Sequence, residues 1–538
     1  MASFILAALM RCIPVVMFTY ALEVITVRRW RRLPPGPWPL PVIGNFHMVA
    51  WSSAHRSLAH LAERHGPLMT IWLGRRVPTV VVSTPDAARE VLRNADLAGR
   101  PVMDAWRAEG HAANSVIYLP PRDKWRAMRR FAATELFAKG RLDARRQLQL
   151  RQEKVQEMVC HVYERAARGE ATAGRRRGRD AGEPSKNDMM DVVIDKEQEW
   201  EEDGRPMNYD AVKGMFTEFF IAGTETTSRT VEWAMAELLR HPESMKKVGD
   251  ELKTVIGTKQ AMEESDIIKL PYLQAVVKET LRLHPVVTLI FYRAMATTQV
   301  QGYTIPKGSN ILVNFWAIQR KEDIWTCPDK FMPERFFARD ISFWGKDFEL
   351  IPFGAGRRIC LGLPLAHRMV HLMLGALLLN FDWKLPPEVE ENGIDMTEKF
   401  GAVVSMATPL KAIAKKTRAR GSLQGHRATR LLVVVDFWAI HRKGDTWTHR
   451  DKFMSERFIA KDISFWGNDF ELIPFGAGRR ICLGLPLAHR MVHFMLASLL
   501  CSFNWTLPPE IEENGIDITE KFGAVVSIAT PLSVVNKY

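Results

Sequence analysis

The chain contains part of itself twice. Residues 315–410 return as residues 437–532, 122 positions later, with 19 differences over 96 positions. That is far longer than a solenoid period and is the duplication of a whole structural block. Everything before residue 315 occurs once, so any partner that the block packs against can serve only one copy at a time. Removing one offset leaves 416 of the 538 residues as unique design. With 47% hydrophobic and 25% charged residues, collagen-like and wholly disordered classes are excluded. The six cysteines, Cys12, Cys160, Cys327, Cys360, Cys482 and Cys501, form no CxxC pair, which excludes a disulfide scaffold and fits a reducing compartment. The net charge of +13 permits nucleic acid, an anionic membrane or an acidic protein partner. No nucleic-acid module accompanies it, so most of the charge reads as solvated surface.

Residues 1–27 are mostly apolar and end on the basic cluster Arg28-Arg29-Trp30-Arg31-Arg32. Arg11, Pro14 and Glu23 interrupt the run, so it reads as a weak amino-terminal membrane anchor, residues 1–32, with an interfacial helix as the alternative. No clear small-residue site supports a cleaved signal peptide. The proline run from Leu33 to Pro41 cannot continue a helix and marks a stiff hinge over 33–45. Short β-branched runs predict strands at 70–73, 79–83 and 311–314. Helical periodicity covers 57–65, 86–94, 123–136, 210–240, 270–283 and 363–379. Residues 166–187, with Arg175-Arg176-Arg177-Gly178-Arg179, read as an exposed, disordered loop. A basic linker over 415–436 joins the main domain, 46–414, to the duplicated block, 437–538.

The strongest chemical signal is Phe353-Gly354-Ala355-Gly356-Arg357-Arg358-Ile359-Cys360-Leu361-Gly362, repeated unchanged around Cys482. Around a haem each part has a use. Cys360 supplies a thiolate axial ligand that favours O–O cleavage. Gly356 and Gly362 allow tight turns and close approach. Arg358 can pair with a propionate, and Phe353 can shield the sulfur. A lone cysteine would be read as structural; the whole FxxGxRxCxG pattern before an apolar helix argues for a ligand.

The sequence resembles the cytochrome P450 monooxygenases over nearly its whole length. Ala222-Gly223-Thr224-Glu225-Thr226-Thr227 matches the family's oxygen-activation motif, with Thr226 to hydrogen-bond dioxygen or its water and Glu225 to relay a proton. Glu279-Thr280-Leu281-Arg282 matches ExxR, whose i, i+3 spacing puts both side chains on one helix face, and Arg335 of Pro333-Glu334-Arg335-Phe336 completes a buried structural network. Trp125 and Arg129 match WxxxR and, with Arg293, are candidate propionate partners. The proline hinge, Phe219-Phe220-Ile221-Ala222-Gly223-Thr224 and Pro364-Leu365-Ala366 are similar to plant microsomal, geraniol hydroxylase-like members. The resemblance implies a mainly α fold with a small β portion and a haem b cofactor. It also implies electrons from NADPH through a partner reductase, a small lipophilic, terpenoid-like substrate, and an endoplasmic reticulum membrane location with the catalytic domain cytoplasmic. Segments 104–118, 286–291 and 403–407 would face the substrate.

Two departures qualify these expectations. Trp125 and Ala222 are 97 positions apart, about half the family's spacing, so the helices that roof the substrate cavity are expected to be missing near 166–187. There are also two cysteine loops for one ExxR helix, one oxygen motif and one WxxxR. Cys360 is the expected ligand, because its block follows directly from strand 311–314 and keeps Pro333. Around Cys482, Ser455 replaces that proline and His449-Arg450 replace Cys327-Pro328. The alternative to an active monooxygenase is an inactive haem-binding relic or a spurious gene fusion without turnover.

Overall fold

The β-branched runs pair first among themselves. In the computed structural model, which describes residues 32–74, 77–102, 108–167, 172–173, 209–257, 259, 261–416 and scattered stretches between 441 and 537, β1 (Leu68–Trp72), β2 (Pro78–Val82), β3 (Leu289–Arg293) and β4 (Asn310–Asn314) form one sheet of order β1-β2-β4-β3. β1 pairs antiparallel to β2 with Thr70 opposite Val80, β2 runs parallel to β4 with Val81 opposite Leu312, and β3 closes antiparallel with Ile290 opposite Val313. β2 is buried throughout, as expected for an inner strand covered on both faces. The proline segment lies on this sheet. Pro35 O accepts from Thr70 N at 2.7 Å, and Asn45 bridges Trp38 O and Trp72 N. Ordered hydrogen bonds to β1 therefore fasten the proline hinge to the globule.

Helices make up most of the rest. They include α1 (Ala54–His65), α2 (Pro85–Arg93), α3 (Asp123–Phe131), α4 (Arg145–Ala167), α5 (Tyr209–Arg240), α6 (Pro242–Ile256), α7 (Pro271–Leu283) and α8 (Leu363–Asn380). The mainly α fold with a small β portion is as expected. Pro242 and Pro271 each open their helix, where a missing N–H costs nothing. The first turn of α7 is capped from α6, since Tyr272 and Leu273 donate their N–H groups to the Glu251 carboxylate at 2.7 and 2.9 Å. α4 was not expected. Its Arg/Gln-rich surface hides a narrow apolar stripe that includes the buried Val155 and Val159.

α8 is apolar almost all round and accordingly lies at the centre of the core, against α4, α5, α6 and α7. It is also the one helix among the described residues long and apolar enough to cross a membrane, and its burial marks it as a core helix. The expected anchor at 1–32 lies outside the described residues save Arg32, as does most of 166–187; within that loop Thr172–Ala173 pairs with residues 411–412. Most of the expected 415–436 linker is likewise outside them.

Contacts divide the chain into two units, residues 1–176 with 185–422, and residues 423–538 with 177–184. The second unit contains the repeated block. Its Asn504–Thr506 pairs antiparallel with Val535–Lys537, and Glu520–Lys521 with Ser527–Ile528. The first copy makes the matching pairs, Phe381–Lys384 with Lys411–Lys416 and Glu398–Lys399 with Ser405–Met406.

Candidate active site

The cysteine loop is fixed by its own backbone. Cys360 N donates to Phe353 O at 3.0 Å and Ile359 N to Gly356 O at 3.2 Å. Gly356 adopts φ +65° with its α-carbon against the Leu92 carbonyl, so any Cβ there would overlap that oxygen. Leu361 and Leu365 pack with α3 and the first half of α5, while Phe353 packs on Phe343 at 5.5 Å. Cys360 itself is exposed. The protein around its thiol raises the thiol pKa, opposed by the N–H groups of Gly362 and Leu363 and by the Arg129 charge.

Beside the loop stands a cationic cluster. Arg129 donates to Ile359 O at 2.9 Å and lies over the Trp125 ring at 5.1 Å. Arg358 covers the same ring at 4.6 Å and donates to the carbonyls of Ala98, Val116, Ile117 and Leu119. Trp125 Nε1 also donates to Val116 O, at 2.9 Å. Arg100, which sequence reasoning missed, lies over Tyr292 at 4.4 Å and donates to Phe291 O, and its buried Nε has no partner. Burial and then repulsion from Arg100 lower Arg358 to about 9, and both causes also act downward on Arg129. None of these three guanidiniums makes an ion pair with a carboxylate among the described residues. Arg293 is exposed at the end of β3, its N–H on Gly99 O at 2.9 Å, one residue from Arg100.

α5 carries the other motif. Thr226 Oγ1 donates to Ala222 O at 2.6 Å, the i−4 back-bond usual for a mid-helix threonine. Glu225 is half-exposed, with Arg229 3.8 Å away, and Arg229 is itself held by Glu232 at 2.8 Å. Phe220 and Ile221 are 67% and 54% exposed, and a Cβ at Gly223 would meet nothing within 4 Å. The expected substrate segments converge on this helix. Val286 and Met406 pack with Trp233, and Gly214 approaches Asn114 O so closely that a side chain would not fit. Glu218 ties down residues 115–117: its carboxylate accepts from Ser115 Oγ and from Val116 N and Ile117 N at 3.0 and 3.3 Å. Burial raises the Glu218 pKa despite these bonds.

The Glu–Arg network lies within the main helical core. Arg282 grips Glu279 with two bonds of 2.7 and 2.9 Å, both side chains fully buried. Glu279 Oε1 also accepts from Arg335 Nε at 3.0 Å and Met332 N at 2.9 Å. Gln319, not singled out from sequence, donates to Leu281 O and Arg282 O and accepts from Ile351 N, two residues before Phe353. It therefore links α7 directly to the strand of chain entering the cysteine loop. Cys482 lies outside the described residues.

A haem presents an iron that needs an axial donor and two carboxylates that need cations. The exposed Cys360 and three arginines without carboxylate partners among the described residues match both needs, so the residues present fit the group. The cytochrome P450 family model matches residues 34–172, 168–413 and 431–534, the last span covering the second block. Geraniol 8-hydroxylase of Catharanthus roseus is 38% identical over 472 residues, spanning 72% of this chain and 94% of that protein. 7-Ethoxycoumarin O-deethylase of Helianthus tuberosus is 36% identical over 468 residues, spanning 72% and 95%. Geranylhydroquinone 3''-hydroxylase of Arnebia euchroma is 34% identical over 475 residues, spanning 72% and 94%. A zebra fish cytochrome P450 structure with abiraterone shares the fold, with a TM-score of 0.55 at 24% identity, over 68% of this chain and 99% of that one. Fold, motifs and relatives agree, and the chain belongs to the cytochrome P450 family of haem-dependent monooxygenases.

Proposed function

We propose that the chain is a microsomal haem-thiolate monooxygenase that hydroxylates a small lipophilic, terpenoid-like metabolite, with electrons from NADPH delivered by a partner reductase. The observation that carries this reading is the exposed Cys360 beside three arginines with no carboxylate partner among the described residues. Cys360 would ligate the iron, and Trp125, Arg100, Arg129 and Arg358 would hold the propionates, with Arg293 at their edge. Bound there, haem b would supply reductive activation of dioxygen, one atom entering a C–H bond and the other leaving as water. Gly356 and Gly362 keep the loop slim, and Phe353 covers one side of it. Thr226 donates its hydroxyl proton to Ala222 O, which leaves its oxygen free to accept from a water on the same helix face. Glu225 reaches solvent and can pass protons inward to that position. The net charge of +13 suits docking of an acidic reductase and an anionic membrane surface.

Exposure on α5 supports the expected loss of roof helices and an open site. Phe220 and Ile221 are exposed in the middle of α5. The 472 positions aligned with the Catharanthus relative also exceed the 72% of this chain that they span, so the relative has segments with no counterpart here. Water entering an unroofed site competes with substrate positioning and diverts reduced oxygen from hydroxylation. The test is full-length chain in membranes with reductase, NADPH and geraniol, measuring haem content, hydroxylated product and peroxide per NADPH consumed. The expected result is bound haem with a minority of electrons appearing in product. Failure to bind haem would overturn the functional reading, and tight coupling would overturn the open-site reading.

A further inference from the structure

Among its described residues the second block repeats several local contacts of the first, and its sequence carries no Glu-x-x-Arg helix of its own. Ser464 N caps on Asp469 Oδ2 at 2.7 Å, as Ser342 N does on Asp347 Oδ2 at 2.8 Å. Arg457 donates to the carbonyls of His449 and Lys452 at 3.2 and 2.8 Å, as Arg335 does to those of Cys327 and Lys330 at 3.3 and 3.1 Å. It lies 5.9 Å over Trp447, as Arg335 lies 5.8 Å over Trp325. Ile473 N donates to His441 Nε2 at 2.9 Å, where Ile351 N donates to Gln319 Oε1 at 3.1 Å. The difference is at Nε of the arginine. In the first block it donates to Glu279 at 3.0 Å; in the second it turns to Met454 O at 3.1 Å.

Beside that nitrogen the second block has a cavity of about 300 Å³, lined by His441, Trp447, Lys452, Met454, Arg457 and Phe458. Their counterparts 122 positions earlier are Gln319, Trp325, Lys330, Met332, Arg335 and Phe336, the wall against which α7 is held. Only the first of these six positions differs. Phe336 is 8% exposed under α7, whereas Phe458 is 45% exposed. The chain therefore has two receptors of this kind and one Glu279–Arg282 helix, which is buried in the first. With α7 held in the first, a helix of that kind for the second would come from another polypeptide.

We propose that this cavity is a preformed receptor for a helix from another polypeptide that carries a glutamate and an arginine three residues apart, of the type found in α7. The first block shows the expected contacts. The incoming carboxylate accepts from Arg457 Nε and Met454 N, as Glu279 does from Arg335 and Met332. The incoming guanidinium donates to the carbonyls of His441 and Lys452 and stacks on Trp447, as Arg282 does on Gln319 O, Lys330 O and the Trp325 ring at 5.3 Å. Gln319 additionally caps two carbonyls of α7, and a histidine whose Nε2 already accepts from Ile473 can supply at most one such donor. The second receptor thus binds more weakly than the first, which keeps the chain's own helix in place.

The proposal does not depend on haem binding. It is tested with full-length chain and a fluorescent, lactam-stapled peptide spanning residues 264–286, by anisotropy and by photocrosslinking with mass mapping. Saturable binding is expected, with crosslinks between residues 441 and 472. A Glu279→Gln peptide, or Arg457→Ala in the chain, should weaken binding at least about tenfold, as loss of a charge-assisted bond does. Arg457→Lys should weaken it less. No saturable binding, equal affinity of the Glu279→Gln peptide, or crosslinks confined to residues 319–350 would overturn the proposal. The peptide variant leaves the protein unchanged, so misfolding cannot imitate its effect.

Discussion

Two copies of one block, 77 of 96 positions alike, acquire different environments from what they fold against. Arg335 meets a buried carboxylate, and Arg457 meets its own backbone. Glu398 is embraced by His55 at 3.0 Å and Arg56 at 2.8 Å, two single-copy residues that precede the repeat. Trp325 and Trp447 are both buried, so the block's own apolar contacts form in either setting. The lesson is that the repeated sequence specifies its loops and turns locally, while its buried charges are completed by single-copy elements. The substitutions agree. A Cβ at Gly375 would overlap Met262 Sδ, and the second copy has Ala497 there; Leu372 is buried, and the second copy has Phe494. The first block fits the helical core, and the second has drifted from fitting it.

Breaking the comparison at its most buried charge gives the largest effect. Glu279→Ala leaves two guanidiniums buried without their carboxylate and should cost about 3–5 kcal/mol in denaturant unfolding of the first unit. Parity with a surface mutation would show that the network is not structural. Next is the acid side of the stability profile. Burial would raise the Glu398 pKa, but hydrogen bonds from His55 and Arg56 outweigh it and hold the value at about 2. A folded-state pKa below the unfolded one stabilises fully above about pH 4.5 and is lost as pH falls towards 2, up to about 3 kcal/mol. Glu398→Gln should flatten that limb.

Smaller effects sharpen the comparison of shapes. Gly375→Ala should cost about 1–3 kcal/mol by overpacking against Met262, with a lower thermal midpoint as the readout, whereas Ala497→Gly should move it little. The smallest effect is expected for Arg457→Ala. It removes backbone hydrogen bonds and a distant ring contact of a partly exposed side chain, and should change chain stability by no more than about 0.5 kcal/mol. A larger loss would mean that the second block already has a buried acidic partner.

The cysteine loop, the Glu–Arg pair and the tryptophan–arginine pair were legible because each depends on near neighbours in sequence. Helix periodicity located α5, α7 and α8 to within two residues. Arg100 and Gln319 were not legible. One sits in an irregular segment and is placed by distant residues, Tyr292 and the Phe291 carbonyl, and the other acts across 38 positions on the end of α7. The carbonyls that receive Trp125 and Arg358 are equally long-range, because residues 115–119 are brought there by Glu218 on α5. α4 was missed because its charged surface outweighed its narrow stripe.

The central claim is that one helix selects one cysteine. Full-length Cys360→Ala and Cys482→Ala chains, reduced and exposed to carbon monoxide, test it through the absorption band of thiolate-ligated haem. The account predicts that Cys482→Ala keeps the band and Cys360→Ala abolishes it. Loss of the band only in Cys482→Ala would contradict it.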